Sequence, residues 1–208
     1  MATDHQASQR VYVELKRDVL AGQTVGHLHI GALALRYATS VTPVREAMLR
    51  LVGERLIAMR SAGGFIVIIR QEQEVRNLYA YNMELALLAS AWTHGDPVDI
   101  LPLHDEPRGL DPPIDVFFSA LAARTSNIAL AAAIGTVNDQ LCRIRRAEQG
   151  HLTGLAQEFT KLEQLAESGA KVALHRALRT YHRRRIRHAR ALVQKIQIDD
   201  LARSLLIT

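Results

Sequence analysis

Residues 40–51 read Ser-Val-Thr-Pro-Val-Arg-Glu-Ala-Met-Leu-Arg-Leu, a polar turn that runs into a proline and then into a helix. Proline at the first helical position costs nothing, because the N–H it lacks would have no intrahelical acceptor. Ser40 and Thr42 precede it as capping residues, and hydroxyls at such a turn also reach phosphate. Val44, Ala47, Met48 and Leu51 recur at helical spacing and make one apolar face, with Arg45 and Arg50 off it. A helix of this kind suits insertion of its N-terminal end into a DNA groove.

The flanking segments supply what such a helix packs on. Residues 8–21 carry Val11, Val13, Leu15, Val19 and Leu20 among charged residues and predict a helix ending near Gly22. Leu28-His29-Ile30 reads as a short strand or a lead into a helix over Ala32–Tyr37, with Leu33, Ala34 and Leu35 turned inward. After the proline helix, which ends near Glu54, the runs 56–60 and 64–68 flank Ser61-Ala62-Gly63 and predict a β-hairpin. Helix, helix, recognition helix and hairpin is the order of a winged helix-turn-helix.

Arg70 to Glu74 is polar and reads as a linker, and the remainder is helical. Helices are predicted over about 73–94, 114–124, 127–147, 152–168 and 170–197, punctuated by Asn127, Gly150 and Gly169. The stretch from Gly95 to Pro113 holds most of the chain's prolines and reads as loop or only briefly ordered. The fold class is therefore mainly α. A winged helix-turn-helix with a hairpin wing (1–70) precedes an all-α antiparallel bundle (71–208).

Charge and cysteine usage narrow the chemistry. Of the formal net charge of +5, +4 falls within residues 1–70, the excess that phosphate contacts need. Cys142 is the one cysteine, which excludes an internal disulfide and a cysteine-rich zinc site. No apolar run is long enough to span a membrane and residues 1–9 lack an apolar signal core, so a cytoplasmic protein is expected. No glycine phosphate loop, nucleophile elbow, metal-ligand cluster or acid–base pair is present, which argues against an enzyme.

At Thr42 to Leu51 the chain resembles the GntR family of transcriptional regulators, whose signature T-P-V-R-E-A-L-x-x-L is matched with Met48 in place of Leu. Leu28 with Leu33-Ala34 matches the family's L-x(4)-L-A spacing, and Gly64-Phe65-Ile66-Val67 matches the wing's R-G-A-x-V. Further on, Asp115-Val116-Phe117-Phe118 and Ser126-Asn127 resemble the D-x-x-F-H…S-G-N segment of the subgroup with a helical effector domain, the FadR-like or FCD type. The resemblance implies a dimer on a palindromic DNA operator, modulated by a small organic effector and most often repressing. It implies Arg36, Ser40, Thr42, Pro43, Arg45, Arg50, Gly63 and Gly64 as DNA-binding residues.

Two departures stand out. The turn before the signature usually reads V-S-R, but Val41 occupies its arginine position, and Gly63 stands where a wing arginine is common. Many relatives hold a divalent metal through one Asp and three His; here Asp115 is matched by Ser119, Phe159 and Tyr181, with His182 one residue late. Asp115 and His182 alone do not make a metal site, so no cofactor is expected. Asn82, Asp115, Ser119, Phe159, Tyr181 and His182 remain the effector-site candidates, for an apolar ligand or a carboxylate. Tyr81 and Trp92 are further pocket or core candidates.

The alternative is an effector-independent DNA-binding or architectural protein whose pocket is plugged by Phe118, Phe159 and Tyr181. A protein-interaction module follows if Val41 and Gly63 abolish DNA binding. Between Lys171 and Arg190 lie eight basic residues and no acidic one. Arg176, Arg179, Arg183, Arg187 and Arg190 form one stripe, read as a solvated face answering Glu158, Glu163 and Glu167 rather than as an anion site. Leu178, His182, Ile186, Ala189 and Val193 face inward.

Overall fold

The apolar face read from residues 44–51 is the centre of the first of two compact units. Val44, Ala47, Met48 and Leu51 are all fully buried in the computed structural model, which describes residues 2–92 and 112–206. The elements in chain order are α1 (Ala2–Leu20), β1 (His27–Leu28), α2 (Ile30–Arg36), α3 (Val41–Gly53), β2 (Ile57–Met59) and β3 (Phe65–Val67). They continue as α4 (Glu72–Ala91), α5 (Pro113–Ala123), α6 (Ile128–Glu148), α7 (Leu155–Glu167) and α8 (Lys171–Leu206). The chain is mainly α, with one small sheet.

In the first unit, residues 1–69 with 197–208, α1 packs on α3 and α2 closes the other side. The sheet has the order β1-β3-β2, all antiparallel, with Ala58 opposite Ile66 and Leu28 opposite Phe65. Leu28, Ile57, Phe65 and Val67 point into the core, as period-two alternation requires. The hairpin turns through Gly63 and Gly64 at φ of 88° and 79°, where a Cβ would clash with its own backbone. The last turns of α8 belong to this unit, and there Arg203 donates to the Gly22 carbonyl.

Several local expectations change. α3 begins at Val41, so Pro43 sits third in the helix, where its missing N–H is still tolerated, and it is buried. Ser40 is the N-cap residue by backbone conformation, but its side chain makes no capping bond. Leu35 is 85% exposed rather than inward, because only Leu33 and Ala34 of the α2 stripe meet the core. The expected linker is shorter than read. Gln71 caps α4, and its N–H donates to Glu74 at 2.8 Å.

The second unit, residues 70–196, packs α4, α5, α6, α7 and the first part of α8 around one apolar core. Asn127 caps α6, its Oδ1 accepting from the Leu130 N–H at 3.0 Å. Leu178, His182, Ala189 and Val193 are buried and Ile186 half-buried, the inward face expected of α8. Tyr81 and Trp92, in contrast, are exposed and line no core. The proline-rich stretch lies outside the described residues but for Pro112 and Pro113.

Candidate DNA-reading surface and bundle core

Which basic side chains of the first unit are free to meet a ligand is decided by their partners. Asp18 and Lys16 of α1 are buried charges that need neutralising. Lys16 Nζ pairs with Glu54 at 2.6 Å and donates to the Tyr12 hydroxyl at 3.0 Å, tying α1 to the end of α3. Arg36 pairs with Asp18 at 2.6 Å. Burial, and then the Asp18 charge, push the Tyr37 phenol up to about 12. Arg50 donates to Gln9 Oε1 at 2.6 Å, and its guanidinium stacks 3.6 Å from the Tyr12 ring centroid. Arg36 and Arg50 are therefore held by the fold itself.

Arg45 differs. It is exposed on the first turns of α3, and among the described residues no partner holds it. Ser40, Val41 and Thr42 are exposed beside it. Of the DNA-contact candidates, then, Ser40, Thr42 and Arg45 share one free surface, Pro43 is in the core, and Gly63 and Gly64 shape the wing turn.

Sequence reasoning missed Arg60. It stands exposed where the wing hairpin turns, and its guanidinium lies 2.7 Å from His27 Nδ1 on β1, which accepts from it. The His27–Arg60 contact runs from the β1 edge, across the central β3, to the end of β2 at the other edge. Replacing Arg60 with alanine is expected to weaken DNA binding severalfold. The slope of log affinity against log salt should fall by about one, the signature of a lost phosphate contact. An unchanged slope in anisotropy titrations at several salt concentrations would remove Arg60 from the interface.

In the second unit the effector-site candidates do not line one open cavity. Asp115 pairs with Arg145, a fully buried guanidinium that also donates to Asn138 Oδ1 and Asn82 Oδ1, both at 2.9 Å. Asn138 in turn donates to Ser119 Oγ at 3.2 Å and to the Asp115 carbonyl. His182 Nδ1 lies 2.7 Å from the Leu178 carbonyl and Nε2 2.9 Å from Asn82 Oδ1, two acceptors of which a neutral ring donates to one. Phe118 fills the middle, its ring 5.7 Å from Tyr181, 5.4 Å from His182 and 5.1 Å from the Arg145 guanidinium. Asn82, Asp115, Tyr181 and His182 are thus brought together, but as a packed polar core. Ser119 is exposed, and Phe159 sits away from them, against Phe117.

A second buried group adjoins the first. Arg185 makes a bidentate pair with Glu148, with distances of 2.8–3.1 Å, and a 2.9 Å pair with Glu158, and stacks 3.4 Å over the Tyr181 ring. Tyr79 donates to Glu148 at 2.6 Å. Burial, and then Glu148, raise both the Tyr79 and the Tyr181 phenols, which keeps them protonated. Burial opposes charge on both arginines. Asp115 at Arg145, and Glu148 and Glu158 at Arg185, more than offset it, and both stay cationic.

The basic stripe of α8 is exposed throughout. Glu158, offered as one of its partners, is taken by Arg184 and Arg185 instead.

His182 carries a pH dependence. Burial, aided by the Arg145 and Arg185 cations, lowers its pKa to about 3, so the folded state keeps it neutral where the unfolded chain, at about 6.5, does not. The unfolded state then binds the extra proton between these values, and stability falls as pH falls from about 6.5 toward 3. The limiting slope is about 1.4 kcal/mol per pH unit. Urea unfolding at pH 7, 6 and 5 should show this slope, and His182→Gln should remove about one proton's worth of it. An identical slope in both proteins would contradict the assignment.

A cleft of about 230 Å³ opens between α5 and α7, its walls including Val116, Phe117, Leu121 and Phe159, with Arg124 and Glu163 also lining it. It is the place Phe159 occupies, and it is largely apolar. Among the described residues no group of three or more His, Cys, Asp or Glu converges, and no helix is long and apolar enough to cross a membrane.

Fold and surface together define a winged helix-turn-helix protein with an appended helical bundle. Residues 7–67 match the family of bacterial regulatory proteins described as the gntR family. The HTH-type transcriptional repressor GlaR of Escherichia coli (strain K12) is 36% identical over 88 residues, which is 40% of either chain. The alignment thus spans well under half the length of that relative. Two solved structures share the architecture at 18% identity. A putative transcriptional regulator GntR from Rhodococcus sp. RHA1 has a TM-score of 0.71, covering 88% of this chain and 96% of its own. McbR/YncC of E. coli has a TM-score of 0.67, covering 91% and 98%. At that identity they show the fold alone.

Proposed function

We propose that this protein is a DNA-binding transcriptional regulator that acts as a repressor, reading a palindromic operator as a homodimer. The observation that carries the reading is Arg45, exposed and, among the described residues, unpartnered on the N-terminal turns of α3 in a domain that matches the GntR family. A guanidinium free of the fold is available for bidentate contact with guanine O6 and N7. Ser40 and Thr42 present hydroxyls to phosphate beside it. Val41, half-exposed at the first position of α3, has no hydrogen-bonding group, so its base contact is apolar, suited to a thymine methyl. The name of GlaR, a repressor, supports the direction of regulation.

The effector reading moves with the geometry. The cleft between α5 and α7, walled by Phe117 and Phe159, fits a small, largely apolar molecule better than the charged core around Arg145 fits a free carboxylate. The test is an anisotropy titration against DNA from upstream of the protein's own gene, beside a scrambled duplex, at two salt concentrations. Preference of about 10³-fold or more for the native duplex supports an operator reader. Equal, steeply salt-dependent binding to both reduces the protein to a phosphate binder.

A further inference from the structure

The geometry assigns to Arg145 the part of a resident cation: its guanidinium holds the buried carboxylate of Asp115 at the centre of the second unit, in the position where the family resemblance implies a divalent metal. This goes beyond the DNA-reading proposal and does not depend on it. The donor set does not fit a metal. The Asp115 carboxylate is turned to Arg145. The imidazole nitrogens of His182 both face oxygens, the Leu178 carbonyl at 2.7 Å and Asn82 Oδ1 at 2.9 Å. Ser119 offers an exposed hydroxyl already accepting from Asn138, Phe159 offers no lone pair, and the buried Tyr181 phenol keeps its proton. A dication placed among these groups would also face the full charge of Arg145 in a dry interior.

The same arrangement says what the site binds. A guanidinium presents a planar fork of donors that matches a carboxylate. Here the chain's own Asp115 occupies that receptor at Nη1, with Asn138 Oδ1 accepting from the same nitrogen and Asn82 Oδ1 from Nη2. The site is therefore a carboxylate receptor closed by an internal ligand. A free carboxylate enters only when the internal one is removed.

The experiment uses the full chain purified without a metal-affinity tag. Expected are a metal content below about 0.1 per chain and a melting temperature unmoved, within about 1 °C, by chelator or by added zinc, nickel or manganese, since a ligand binding only the folded state would raise it. Metal near one per chain, with a melting temperature that drops on chelation, would overturn the proposal. In Asp115→Ala the emptied receptor should take formate. About 100 mM formate should raise the melting temperature of that variant by several degrees more than chloride at equal ionic strength, and should leave the wild type and the double variant Asp115→Ala/Arg145→Met unmoved. A folded Asp115→Ala protein indifferent to formate would equally overturn it. Should that variant not fold, the metal measurements on the wild type decide alone.

Discussion

Arg145→Met is expected to cost about 3–5 kcal/mol of stability, because it strands the buried Asp115 carboxylate without its cation. It also leaves the Asn82 and Asn138 oxygens without the guanidinium donors they accept from. Against the ~5–15 kcal/mol that separates a typical folded domain from its unfolded chain, that is a large fraction. Removing both members is gentler. Asp115→Leu with Arg145→Met replaces an ion pair by apolar groups of similar volume and should recover much of the loss. Urea unfolding followed by far-ultraviolet circular dichroism measures all four corners of this cycle. A single-variant loss below about 1 kcal/mol would mean that the pair is better hydrated than its burial implies.

The second large effect belongs to the other unit. Arg45→Ala should weaken binding to the cognate duplex by about 1–3 kcal/mol, tenfold or more, with little change in unfolding free energy. Arg50→Ala should behave the other way round, since Arg50 is stacked on Tyr12 and bonded to Gln9. Its loss lowers stability through the α1–α3 contact and changes affinity less. Paired anisotropy and unfolding measurements on the two variants separate reading from packing. Equal affinity losses in both would show that the two arginines share one role.

Periodicity made part of this legible. The α3 core face, the inward face of α8 and the Asn127 cap were all readable because apolar spacing and capping chemistry act over one or two turns. Buried charge was not. Lys16, Asp18, Arg145 and Arg185 look like surface residues to any hydropathy rule, and only tertiary partners tens of residues away explain their burial. A faint signal existed. Asn138 and Arg145 are seven residues apart, on the same face as Leu141, and Arg185 lies seven from Leu178 and four from Tyr181. Polar residues recurring within an apolar stripe mark a charged core rather than a solvent face. Leu35 shows the opposite failure, since its hydrophobicity placed it inward although the seven-residue α2 buries only one narrow edge. Pro43 was displaced by two positions because α3 starts at Val41, before the proline rather than at it.

The ion pairs of the first unit have a consequence for how such a protein diverges. Lys16, Glu54, Asp18 and Arg36 are spent on holding α1, α2 and α3 together, whereas Val41, Thr42 and Arg45 are exposed, and among the described residues no side-chain partner holds them. Vocabulary and grammar are thus kept in different residues. Exchanging positions 41, 42 and 45 for those of another reader should transplant its operator preference onto this scaffold without refolding it, while the same exchange at position 36 or 50 would unpick the scaffold first.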